Sequence, residues 1–339
     1  MTAASSVDLT FSLLNDWQRD FPLVAAPFMA IGERYGLAPC ACGQAVLEPY
    51  RRLLQDGAIS RIGGIWGTGA AGAALLCAMV VPTERLEAVA AMVSAHPGVN
   101  HNYEREHDFN LWFVITGCDA DAVGRSVDQL ESCTGCKALR LRMQRAYRID
   151  LGFDMRNELA AGGRAAAQQV PAVDCADAPL AVLVEEGLPM ALRPFDAWAQ
   201  ALQWPVGRVL ATLQRWLQQG TMRRFGVIVR HHEAGFSHNA MTVFNVPDDR
   251  VDACGAQLAG AHGVTLAYRR ERAPGWPFNL YCMVHGRDRA SVRAAIAIAV
   301  ARCGLEGLPH ATLFSRRRFK QSGARYFSAA ASVQPHVSA

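Results

Sequence analysis

Between Arg223 and Met241 the chain reads RRFGVIVRHHEAGFSHNAM, which places His231, His232 and His238 within eight residues. Imidazole titrates near neutral pH and can hand a proton to a reacting atom. His231 is the first choice for a general acid, with Gly235 as the turn residue that would bring it inward. A second cluster, HNYEREH, sets His101, Tyr103, Arg105 and His107 at alternate positions. A third sets Tyr268, Arg270 and Arg272 in the same alternation, with Leu266 where the earlier cluster has His101. A period of two puts each set on one face of a strand. The planar guanidinium fork suits carboxylates. The chemistry on offer is proton transfer beside bound carboxylates. The plainer readings are a surface histidine in a turn, a solvated face for YEREH, and core positions for Trp112 and Trp276.

The elements that would position these groups come from a chain of 339 residues, long enough for several domains, with 51% hydrophobic and 19% charged residues. A formal charge of +4 fits an anionic small ligand and is weak for nucleic acid. The start, MTAASSVDLTFSLLNDW, lacks the basic and apolar parts of a signal peptide, so a cytoplasmic protein is expected. The uncharged run from Gly63 to Pro82 has the length of a membrane span, but its glycines favour a turn followed by a buried strand. Ten cysteines are scattered. The pairs Cys40/Cys42 and Cys133/Cys136 could hold zinc, and buried reduced thiols are the simpler reading.

The chain repeats itself. GAISRIGGIW at Gly57 returns as GTMRRFGVIV at Gly220, FPLVAAPF at Phe21 as LPMALRPF at Leu188, and HNYEREHDFNLWFVITG at His101 as LAYRRERAPGWPFNLYCMVHG at Leu266. In the second copy the apolar spacing predicts helices over 194–202 and 205–219, then a wing strand over 221–230. Two helices, a glycine and a wing make a winged helix-turn-helix. Strands are predicted over 240–246, 264–272, 278–284 and 312–319, with helices over 248–259 and 289–303. That order, βαββαβ, is the ferredoxin-like pattern. The expected class is α+β, a tandem repeat of the two modules. Its parts are a winged helix-turn-helix over 8–70, a βαββαβ domain over 71–156, a linker over 157–178, a second winged helix-turn-helix over 179–237, a second βαββαβ domain over 238–328 and a tail over 329–339.

A small winged helix followed by βαββαβ resembles the Lrp/AsnC family of regulators, whose βαββαβ domain binds amino acids. The more specific segments are similar to sirohaem decarboxylases, built on the same fold: RRFG at Arg223, RHHEAG with NAM ending at Met241, HNYEREH with FNLWF ending at Phe113, WPFNLYCMVHG at Trp276 and FKQSGARYF at Phe319. The resemblance covers both halves and looks like the fused two-subunit form of haem d1 biosynthesis. It implies a carboxy-lyase that removes the C12 and C18 acetate carboxylates of sirohaem, giving 12,18-didecarboxysirohaem. No cofactor is required, because the tetrapyrrole is its own electron sink. On this resemblance His231, His101 and Tyr103 are the catalytic candidates. Arg105, Arg61, Arg224, Tyr268, Arg270, Trp276, Asn239 and His107 are the substrate-binding ones. The protein would hold no metal of its own, although a histidine could be an axial ligand to the substrate iron. Expected partners are sirohaem, its product and further copies or related subunits, with no membrane and no DNA.

The alternative is a DNA-binding regulator of the Lrp/AsnC type; a haem-binding module without turnover is a third. A recognition helix should offer groups to base edges and phosphates. PVGRVLATLQRWLQQG offers Arg208 and Arg215, and CGQAVLEPYRRLLQDG carries Pro49, which would disturb such a helix. Arg316 to Arg318 is read as a solvated strand edge rather than a nucleic-acid patch.

Overall fold

The computed structural model describes residues 6–67, 69–149, 170–229 and 238–327. His231 and His232 lie outside the described residues. The chain divides into two units, the first built from 1–71 and 167–234 with a short piece at 152–158, the second mainly from 72–151 and 235–339.

The first unit holds α1 (Ser6–Asp16), α2 (Pro27–Arg34), α3 (Cys42–Gln55) and β1 (Ile59–Trp66), then α6 (Ala178–Glu186), α7 (Pro194–Leu202), α8 (Val206–Gln219) and β6 (Met222–Val229). Pro205 enters α8 in extended backbone, and Gly220 ends it at φ 78°, a conformation that favours glycine. Between them Val209, Leu213 and Trp216 are buried, with Leu210 and Leu217 half-buried. Helix α3 runs unbroken through Pro49, contrary to the expected disturbance. Val46, Leu47, Tyr50 and Leu53 bury its inner face on both sides of the proline, so packing offsets the lost hydrogen bond. Helix α6 was not foreseen. Its sequence APLAVLVEE is almost wholly apolar and shows no stripe, yet it buries Leu180, Ala181 and Val184.

The two wing strands pair with each other. β1 and β6 form a two-stranded antiparallel sheet with Gly63 opposite Gly226 and Ile62 opposite Val227. A Cβ on Gly226 would stand 2.4 Å from the Trp17 carbonyl oxygen, so backbone approach requires this glycine.

The second unit carries β2 (Ala73–Met79), α4 (Leu86–Ala95), β3 (Val99–Arg105), β4 (Leu111–Gly117), α5 (Ala120–Thr134) and β5 (Ala138–Ile149). It continues with β7 (His238–Phe244), α9 (Val251–Ala259), β8 (Val264–Arg270), β9 (Leu280–Gly286), α10 (Arg289–Arg302) and β10 (His310–Gln321). These strands close into one eight-stranded barrel in the order β10-β3-β4-β2-β5-β8-β9-β7. Every neighbouring pair is antiparallel. Each βαββαβ set contributes four strands, and the sets meet at two seams, β10–β3 and β5–β8. β10 is therefore no edge. Its arginines are pinned at the seam, with Arg317 Nε 2.6 Å from Glu104 Oε2 and Arg316 Nη1 3.6 Å from Glu104 Oε1. At the other seam Arg145 pairs with Asp252 at 3.0 Å, and the Tyr147 hydroxyl donates to the same carboxylate.

Alternation decides what faces where. Cys77, Met79, Phe113 and Ile115 pack outward under α4 and α5. Phe244, Leu280, Cys282 and Val284 do the same under α9 and α10. The opposite face points into the barrel, where Leu76, Ala78, Trp112, Leu141, Met241, Val243, Tyr281, Met283 and Leu313 form a third core. Among the described residues no helix is long and apolar enough to cross a membrane.

Candidate active site

Strand β3 delivers its chemistry to the barrel interior. Asn102 turns outward, donating to the Ala90 carbonyl and to Ser94 Oγ. His101, Tyr103 and Arg105 take the other face, in register with the inward Val114 and Trp112 of β4. Arg105 is 6% exposed. Its Nη1 donates to the Leu313 carbonyl at 3.1 Å and to Asn239 Oδ1 at 3.5 Å, and its guanidinium lies 5.5 Å from the Tyr103 ring centre. Ser315 Oγ donates to the same Asn239 oxygen at 2.7 Å.

The second half repeats the arrangement. Arg270, 8% exposed, donates from Nη1 to the Leu141 carbonyl at 2.8 Å and lies over Tyr268 and Tyr281. Each arginine thus reaches across a seam to a leucine carbonyl of the other half. Among the described residues no carboxylate pairs with either guanidinium, and Arg270 Nε is buried with no hydrogen-bond acceptor. Burial lowers both pKa values, that of Arg105 to about 10, which keeps Arg105 cationic at neutral pH; a guanidinium is in general always charged in proteins. Two buried cations without anions are costly unless an anion joins them. The interior is built to receive carboxylates or phosphates.

His101 has a defined tautomer. Thr116 Oγ1 donates to the Arg325 carbonyl at 2.9 Å and accepts from Asn100 Nδ2 at 3.3 Å. Asn100 Oδ1 therefore faces His101 Nδ1, 2.6 Å away, and Nδ1 carries the hydrogen. Nε2 is left as the nitrogen that can exchange a proton with a ligand. Burial, then the charge of Arg105, lowers the His101 pKa to about 4, so the ring is neutral at neutral pH. Burial also raises the Tyr103 and Tyr268 hydroxyl pKa values, keeping them as neutral donors.

The other candidates have other neighbours. His107 is in the exposed turn after β3, where its Nδ1 accepts from the Phe109 amide at 3.0 Å. Trp276 is 1% exposed and donates from Nε1 to the Tyr281 hydroxyl at 2.7 Å, with Trp112 5.2 Å away centre to centre. Both indoles are core here. Arg61 and Arg224 belong to the first unit, buried, and bind backbone carbonyls of Gly64 at 3.4 Å and Val227 at 3.2 Å. Arg272 does not share the face of Tyr268 and Arg270. Strand β8 ends at Arg270, and Arg272 turns out to Asp248 at 2.8 Å. His238 opens β7, is exposed, and lies 3.2 Å from the Arg287 carbonyl through Nδ1. Sequence reasoning missed Ser315, Tyr281 and His285, which stands opposite Asn239 on β9 with Nδ1 2.9 Å from Thr265 Oγ1. Their signal was the inward phase of β9 and β10, which neighbouring strands fix and one strand alone does not.

A closed antiparallel barrel from two βαββαβ sets, with cations inside and helices outside, has the form of a ligand-binding module. The AsnC-like ligand binding domain model matches residues 70–148 and 233–320, and the siroheme decarboxylase NirDL-like HTH domain model matches 181–223. The chain is 40% identical over 326 residues to a siroheme decarboxylase NirDL subunit of Paracoccus denitrificans, covering 96% of this chain and 99% of that one. It is 30% identical to a siroheme decarboxylase of Hydrogenobacter thermophilus, over 92% of each chain. A crystal structure of the siroheme decarboxylase NirDL superposes with a TM-score of 0.68 at 27% identity, covering 94% of each chain. A second, in co-complex with an iron-uroporphyrin III analogue, gives 0.67 at 25% identity, covering 97% of this chain and all of the other. The chain belongs to the sirohaem decarboxylase family.

Proposed function

We propose that this protein decarboxylates sirohaem at its C12 and C18 acetates, yielding 12,18-didecarboxysirohaem and two carbon dioxide molecules for haem d1 biosynthesis. The observation that carries this reading is the pair of buried arginines inside the barrel with no carboxylate partner among the described residues. A tetrapyrrole rimmed with carboxylates supplies the missing anions. The family relationship supports the same substrate.

The reaction replaces a carboxylate by a proton. The bond from the exocyclic carbon to the carboxyl carbon breaks, its electron pair moves into the macrocycle, and carbon dioxide leaves. A proton on the exocyclic carbon completes a methyl group. No electrons are gained or lost, so the protein supplies orientation and protons and requires no cofactor. Arg105 and Arg270 hold carboxylates, with Tyr103, Tyr268 and Asn239 as neutral donors beside them. His101, once it takes up a proton at Nε2 as the carboxylates bind, and His231 are the proton donors, and a histidine that does not donate could ligate the substrate iron. In this reading the chain is a fusion of two winged-helix and βαββαβ modules standing in for two subunits. It works in the cytoplasm, alone or with further copies or related subunits. Anaerobic incubation with sirohaem, followed by mass spectrometry of the tetrapyrrole, tests this. Two successive losses of carbon dioxide are expected, and an unchanged mass would reject the activity.

A further inference from the structure

The two seams of the barrel are built to one plan. In each, the end of one set's last strand crosses onto the first helix of the other set. Arg145, Tyr147 and Arg148 of β5 correspond to Arg317, Phe319 and Lys320 of β10. Asp252, Gly255 and Ala259 of α9 correspond to Glu87, Ala90 and Ser94 of α4. The polar contacts match place for place. Arg145 pairs with Asp252, and Arg317 with Glu87. Arg148 donates to the Ala259 carbonyl at 3.0 Å, and Lys320 to the Ser94 carbonyl at 2.7 Å.

The aromatic position between them differs. Tyr147 is 7% exposed and belongs to the core under α9 and α10, whose other members all come from the second set. Its hydroxyl donates to Asp252. A Cβ on Gly255 would lie within 2.5 Å of three carbons of the Tyr147 ring. Glycine is a poor residue for a helix interior, and this approach is the reason it stands there. Beside it Ala267 of β8, paired with Arg148, adds only a methyl group. Gly255 and Ala267 form a socket. In the first set the equivalents are Ala90 and Asn102. There the Asn102 amide fills the space, donating to the Ala90 carbonyl at 3.1 Å and to Ser94 Oγ at 3.0 Å. Phe319 stays half-buried against that core.

We infer that the Tyr147 socket selects which βαββαβ set closes the barrel: the end of β5 accepts the second set and excludes a second copy of the first. The competitor is the first set of another chain, which offers the same polar partners, Glu87 and the Ser94 carbonyl. Charge does not separate the two, and shape does. Tyr147 laid on α4 would meet the Ala90 methyl and the Asn102 amide, and overpacking of that kind is destabilising. A barrel of two first sets would carry Arg105 twice and Arg270 not at all, so the choice decides what lines the interior. The inference is independent of the reaction.

A stability cycle on the full chain tests the fit. Gly255→Ala is expected to lower the thermal unfolding midpoint. In a Tyr147→Ala background the same change is expected to raise it, because the ring is gone and alanine is the better helix former. A lower midpoint in both backgrounds would overturn the socket. Selection is read on a chain cut after folding, at a protease site placed in the GGRAAA run at 162–167. The cut protein is mixed with an isotope-labelled copy, so that exchange of pieces is visible, and native mass spectrometry weighs the pairs. Wild type is expected to join first pieces to second pieces only. Ala90→Gly with Asn102→Ala, which gives the first set a socket of its own, is expected to add pairs of two first pieces. Such pairs in exchanged wild type, or none in the folded variant, would overturn the selection. If the variant does not fold or the pieces do not exchange, the stability cycle decides.

Discussion

His101 links protonation to ligand binding. Burial is the larger reason its pKa falls to about 4, and the Arg105 charge is the second. A bound carboxylate beside Arg105 cancels the second cause, so the pKa rises in the complex. A group whose pKa rises on binding takes up a proton as the ligand binds. Uptake should therefore be a fraction of a proton per ligand, greatest between the two pKa values. Calorimetry of iron uroporphyrin III binding in two buffers of different ionisation enthalpy measures it. Wild type should take up more than His101→Leu just above pH 4, where the free protein's ring has lost its proton and the complex keeps it. Equal uptake would remove His101 from the site. At this scale the sequence was partly legible. HNYEREH announced alternation, and His101, Tyr103 and Arg105 do share the interior face of β3. His107 broke the pattern because the strand ends at Arg105 and the chain turns. Trp276 has the chemistry of a flat ligand surface, but its neighbours bury it, and burial is set by strands distant in sequence.

Elements were easier to read than their partners. Helix α7 falls on the expected residues, and α8 and β6 fall within a residue of theirs, because apolar period and bounding glycine act locally. The pairing of β1 with β6 was invisible, since nothing local tells a wing strand which neighbour it will meet. That pairing gives Gly226 its role. Gly226→Ala places a methyl 2.4 Å from the Trp17 carbonyl oxygen and 2.5 Å from that of Gln18. Overpacking against backbone costs about 1–3 kcal/mol. Thermal unfolding should show a lower midpoint for this variant, with the iron uroporphyrin III affinity of the folded protein little changed. A midpoint equal to wild type would mean that the wing contact yields.

At the scale of the molecule, the internal repeat carried most of the architecture. Two βαββαβ sets each expose a sheet face, and closing both into one barrel buries those faces together. The sequence showed two copies. It could not show how the copies meet, because that needs the seam registers. The same seams let each arginine reach into the opposite half, so neither half holds a complete site alone. The central claim is that the barrel interior holds the tetrapyrrole through these two arginines. Each charge-assisted contact is worth about 1.5–3 kcal/mol, or about 10- to 100-fold in affinity. The most direct measurement is an absorbance titration with iron uroporphyrin III of wild type and of a variant carrying Arg105→Leu and Arg270→Leu. Saturable binding by wild type, weakened in the variant by about 100-fold or more, is the predicted result. Equal affinity of a correctly folded variant would contradict it and place the ligand outside the barrel.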